Sequence, residues 1–124
     1  MNQLIKHCVF ELLKHHDCVI IPGLGGFVLN TKAAFINPIN NILYPPSKSI
    51  SFNQRLINND GLLANYLAKK KNINYDQACL ELLRFSRKLK LQLSQNQSII
   101  FENVGKLFQN VSQKIEFDPN TNYN

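Results

Sequence analysis

Two sets of cations are the side chains best suited to chemistry in this chain. Lys69-Lys70-Lys71 is a continuous run, and Arg84, Arg87 and Lys88 recur at helical spacing, which places them on one face of a helix. Such a surface meets phosphates or carboxylates without reading sequence, so these residues are the candidate nucleic-acid or acidic-partner surface. A solvated face is the competing reading, because the lysine run also complements a helix C-terminus. His7, His15 and His16 lie near Cys8 in sequence. A zinc site needs convergent ligands, however, and Cys8 falls on the apolar stripe, away from the imidazoles, so no metal is expected. Gly23, Gly25 and Gly26 stand between two β-prone runs. A phosphate-binding loop would lead into a helix N-terminus, so no nucleotide cofactor is expected. No nucleophile, base and orienting acid form a set, and the chain reads as a non-enzyme.

The net charge of +6 and the isoelectric point near 9.4 favour an anionic counterpart: nucleic acid, an anionic lipid surface or an acidic protein face. With 124 residues, 44% of them hydrophobic, the chain can form one compact domain with a core of its own. Its three cysteines, Cys8, Cys18 and Cys79, form no CxxC pair and sit in apolar patterns, which implies reduced, buried thiols and a cytoplasmic protein. No apolar run approaches the length of a membrane span and no signal-peptide pattern opens the chain, so no membrane insertion is expected. The asparagine-rich end, 120–124, reads as a disordered tail.

The elements that must position these residues follow from periodicity. Leu4, Ile5, Cys8, Val9, Leu12 and Leu13 form the stripe of an amphipathic helix over 2–16. Val19 to Leu29 is a hairpin whose glycines permit positive φ and close backbone approach. Ile99 to Asn110 repeats its layout. Ile20/Ile100, Gly23/Asn103, Leu24/Val104, Gly25/Gly105 and Phe27/Leu107 correspond at a constant offset of 80 residues, with Asn103 able to take the left-handed conformation of Gly23. Gly23, Gly25, Gly26 and Gly105 are therefore the structural turn residues. From Asn30 to Asn41 the pattern dissolves into an extended arm or flap, and Pro45-Pro46 confines any strand beside it to an edge. Asp60 caps a helix over Leu62 to about Lys70. Asn74 with Gln77 makes a capping-box start for the longest helix, along which Ala78, Leu82, Phe85, Leu89 and Leu93 keep the inner face. The expected core is Leu4, Val9, Leu12, Ile20, Phe27, Leu63, Leu67, Leu82, Phe85, Leu89, Ile100 and Leu107.

The order helix, break, long helix and hairpin over Leu62 to Phe108 resembles the HU/IHF family of nucleoid proteins. Gly23-Leu24-Gly25-Gly26-Phe27 is similar to that family's Gly-Phe-Gly-Thr-Phe corner, Asn37-Pro38 to the Asn-Pro at its arm tip, and Pro46-Ser47-Lys48-Ser49-Ile50-Ser51-Phe52 to its return strand. Asp17 to Val28, Pro45 to Asn53 and Asn58 to Ala64 resemble more closely the tandem HU-like modules at the amino terminus of some bacterial SPOR-domain envelope proteins. The resemblance implies an α+β fold of duplicated helix-plus-hairpin units packed as an intramolecular pseudo-dimer. The halves would span 1–57 and 58–119, and the chain would be monomeric.

The resemblance also implies a DNA-bending arm with Pro38 as its wedge. Yet Lys32 and Lys48 are the only charges between Thr31 and Phe52, so the arm neutralises few phosphates. Its apolar residues instead suggest a protein-interaction flap formed by Phe35, Ile36, Asn37, Pro38, Ile39 and Ile42. The expected function is a protein-interaction adaptor linked to the cell envelope or cell division, at the inner face of the membrane if a downstream segment anchors it. The alternative is a sequence-nonspecific architectural DNA-binding protein.

Overall fold

The computed structural model describes residues 2–119; the predicted tail, 120–124, lies outside them. The fold is α+β. Helix α1 (Asn2–Leu13) leads into β1 (Cys18–Ile21) and β2 (Gly25–Lys32). An arm follows, carrying β3 (Phe35–Ile36) and β4 (Leu43–Tyr44), and β5 (Ser47–Asn53) returns from it. Helices α2 (Leu62–Lys71) and α3 (Tyr75–Ser94) precede β6 (Ile99–Phe101), β7 (Gly105–Gln109) and β8 (Ile115–Pro119).

Local chemistry sets the helix boundaries. The N-cap of α2 is Gly61, in the left-handed region with φ of 86°, and not Asp60, whose carboxylate accepts the Leu62 N–H at 3.1 Å from one position earlier; Asn72 closes α2 with φ of 57°. At the start of α3, Asn74 Oδ1 accepts the Gln77 N–H at 2.8 Å while Gln77 Oε1 accepts the Asn74 N–H at 3.2 Å. Helix α1 stops at Leu13 rather than running to His16, because Lys14 and His15 already form a turn.

The two three-stranded sheets are copies. Both are antiparallel with their strands in chain order, β1-β2-β5 and β6-β7-β8. Ile21 pairs with Gly25 as Phe101 pairs with Gly105, so the offset of the duplicated sequence is also a register of the structure. The halves interlock. Helix α2 of the second half packs on α1 and β1 of the first, and α1 touches β6. Strands β5 and β8 approach one another, and the Ile115 N–H donates to Gln54 Oε1 at 3.1 Å. Four phenylalanines close the middle: Phe27 meets Phe52, Phe101 and Phe117 edge-on, with ring centroids 5.1, 5.1 and 5.5 Å away.

Three expected core positions differ. Ile20 is half-buried and Ile100 is 65% exposed, while their neighbours Val19, Ile21, Ile99 and Phe101 fill the core. Side chains alternate along a strand, and the helices cover the face that carries the odd-numbered residues. Leu4 packs against the core but remains half-buried. The remaining expected core residues are buried. Strand order also continues further than the sequence pattern, since β2 pairs with β5 as far as Lys32↔Ser47.

Candidate functional site

Beyond Lys32 the chain forms a ribbon that carries its own short sheet. Pairing lapses at Ala33-Ala34 and Pro45-Pro46, then resumes as Phe35↔Tyr44 and Ile36↔Leu43. Proline supplies no N–H to a ladder, which accounts for the break on the return side. The Phe35 and Tyr44 rings stack at 5.0 Å, and the Lys32 ammonium lies 4.5 Å from the Phe35 centroid. At the tip the Asn37 N–H bonds to the Ile42 carbonyl at 3.0 Å and the Asn41 N–H to the Asn37 carbonyl at 2.8 Å. Side-chain oxygens of Asn37 and Asn40 accept the N–H groups of Ile39 and Ile42 at 2.8 and 3.0 Å.

This built loop displays apolar side chains to solvent. Ile39 is 94% exposed, and Phe35, Ile36 and Ile42 are exposed with it; Pro38 is exposed and Asn37 half-buried. The ribbon adds Leu43 and Tyr44, which sequence reasoning left out of the flap. Their signal was the β-prone Ile42 to Tyr44 run, but only the cross-strand register places Tyr44 on Phe35. Among the described residues the second half has no arm. There β7 and β8 are joined by a tight turn in which Asn110 Oδ1 accepts the N–H groups of Ser112 and Lys114.

The basic residues lie elsewhere. Lys69, Lys70 and Lys71 are exposed in the last turn of α2, with the Lys70 ammonium 5.4 Å from the Tyr66 ring centroid. Arg84, Arg87 and Lys88 are exposed along the middle of α3, and Arg84 lies 3.4 Å from Glu81. The exposed leucines Leu80, Leu83 and Leu91 share that side of α3, so the cations do not form an unbroken phosphate-tracking face. Sequence reasoning missed one further cation. Burial, and then the charge of Lys88, hold the Lys6 ammonium of α1, 5.7 Å from the Phe101 ring centroid, below its ordinary pKa.

The turn glycines serve packing. Gly23 takes φ of 83° and Asn103 φ of 65° at equivalent corners. Gly25, Gly26 and Gly105 begin β2 and β7 instead of lying in the turn. A Cβ at Gly25 or Gly105 would stand 2.4 Å from the Phe52 or Phe117 ring, and one at Gly26 would stand 3.0 Å from Leu56. All three cysteines are free, with Cys8 buried and Cys18 and Cys79 half-buried rather than buried. Burial pushes the Cys8 and Cys18 thiols up, away from the reactive thiolate. Among the described residues no three of His, Cys, Asp and Glu converge to hold a metal ion. No helix described is long and apolar enough to cross a membrane.

Residues 1–60 match the CCDC81-like prokaryotic HU domain 1, and residues 61–124 match the CCDC81-like prokaryotic HU domain 2. No curated protein and no solved structure matches the chain. Two sheets in one register, interlocked through their helices, with a ribbon arm on the first, are the form these matches take. The chain belongs to the CCDC81-like prokaryotic HU domains, as a tandem of the two.

Proposed function

We propose that this protein is a non-catalytic adaptor associated with the cell envelope, and that its arm is the element that contacts a protein partner. The carrying observation is the exposed apolar surface from Phe35 to Tyr44 on a rigidly hydrogen-bonded ribbon. A contiguous apolar projection of this kind is the mark of an interaction site. An arm that worked by following phosphates would need cations along its length, and between Thr31 and Phe52 this one has Lys32 and Lys48. The envelope link is supported by the resemblance to the amino-terminal modules of SPOR-domain proteins.

A photo-cross-linking residue placed at Ile42 tests the reading in cells. A discrete protein adduct is expected, lost when Phe35→Ala and Ile36→Ala are added, with none from the same probe at Arg87. Adducts from Arg87 alone would overturn it.

The exposed cations of α2 and α3 favour a second reading, non-specific DNA binding. Anisotropy of a labelled duplex at low and moderate salt separates the two. Six or more phosphate contacts would weaken binding by about a thousandfold between roughly 50 and 200 mM salt. The adaptor reading expects no such slope.

A further inference from the structure

The chemistry of the arm is layered along its length. Lys32 and Lys48 lie on its inner rungs, at the Lys32↔Ser47 and Thr31↔Lys48 pairs. The stacked Phe35 and Tyr44 come next, and beyond them stand Ile36, Leu43, Ile42 and Ile39. Cation, aromatic and aliphatic is the order in which a bilayer presents phosphate, interface and acyl chain.

We infer that the tip of the arm seats in the headgroup region of an anionic membrane surface. The inference rests on the adaptor reading only in taking the arm as a contact element; it gives that arm a lipid counterpart besides a protein. Strands rise ~3.3 Å per residue, so the two steps from the Phe35↔Tyr44 rung to the Asn37–Ile42 bond carry the aliphatic tip roughly 7 Å beyond the aromatic rung. That reach matches the depth of about 5–10 Å at which peripheral elements bury apolar side chains.

Two further observations fit a lipid surface as a counterpart of the tip. Backbone that approaches an apolar phase costs less when its polar groups are met internally, and four of the five N–H groups from Asn37 to Ile42, those of Asn37, Ile39, Asn41 and Ile42, have partners within the loop, leaving that of Asn40 for water or a headgroup. The side-chain amide of Asn40 is engaged as well, its Nδ2 donating to the Tyr44 hydroxyl at 3.4 Å. The charge around the arm is also one-sided. From Cys18 to Asn59 the chain has Lys32, Lys48 and Arg55 and no Asp or Glu, so no carboxylate on the arm or on strands β1, β2 and β5 repels an anionic surface. A groove on an acidic protein would offer the same charge, but not the succession of phosphate, interface and acyl chain that the layers of the arm match.

The chain contains no tryptophan, so Ile39→Trp places a single reporter at the tip. The full chain is mixed with vesicles of phosphatidylcholine containing about 30% phosphatidylglycerol, an anionic content that gives the surface a negative potential. Binding by flotation is expected, with a blue-shifted emission from Ile39→Trp that lipids brominated near the headgroup quench. Ile39→Asp with Ile42→Asp should lower the bound fraction about tenfold or more. Both positions are exposed, so circular dichroism should show the fold intact. Lys32→Glu with Lys48→Glu should lower binding and remove its dependence on phosphatidylglycerol.

Flotation with unshifted emission, or undiminished in the tip double variant, would mean adsorption by net charge and would overturn the inference. No flotation would overturn it too. In either case a protein adduct from the Ile42 probe would leave the adaptor reading standing, whereas tip-dependent flotation without any adduct would sink the adaptor reading and keep this one.

Discussion

At positions 25 and 105 the backbone runs so close to an aromatic ring that a methyl group has no room. The Cβ of an alanine would lie 2.4 Å from Phe52 or Phe117, and the carbonyls of Asn53 and Asp118 close the other side at 3.0 and 2.6 Å. Those rings belong to the cluster around Phe27, so they cannot withdraw without opening the core. Gly105→Ala is therefore expected to cost about 3 kcal/mol, read as a lowered urea midpoint at unchanged slope. The glycines were legible from the sequence because they recur at a constant offset. Their purpose was not, because the rings that exclude a side chain arrive from a distant return strand.

Helix α3 is the element most fully written in the local sequence. Its start depends on a reciprocal pair three residues apart, and both bonds form. Asn74→Ala should cost about 1 kcal/mol in chemical denaturation and raise amide exchange in the first turn of α3. The arm is the opposite case. Its composition revealed an apolar projection, yet Pro45-Pro46 and the Asn-rich tip obscured the pairing of Phe35 with Tyr44 and Ile36 with Leu43. A two-rung ribbon gains little from strand propensity and depends on tip hydrogen bonds that short-range pattern does not reveal. Tyr44 and Leu43 consequently became visible only once the register was known.

At the scale of the whole molecule the duplicated halves behave as one core. Phe27 of the first half touches Phe101 and Phe117 of the second, while α2 of the second half covers β1 of the first. Phe27→Ala should cost about 3–5 kcal/mol. Amide exchange should accelerate in β6 and β7 as much as in β1 and β2; acceleration confined to the first sheet would show that the halves unfold independently. Among the described residues the arm belongs to the first half alone, which gives this pseudo-symmetric molecule a direction.

The sequence by itself determined the duplication, the helices, the capping box of α3, the glycine corners and the apolar character of the arm. Each depends on residues near one another in the chain or on an exact repeat. Only the tertiary structure decided which face of each strand is buried. Val19-Ile20-Ile21 and Ile99-Ile100-Phe101 are apolar throughout, so no alternation distinguishes their sides until the helices cover one. It also decided that cation, aromatic pair and aliphatic tip stand in that order along one ribbon. Those relations belong to packing and register, which join residues the chain keeps apart.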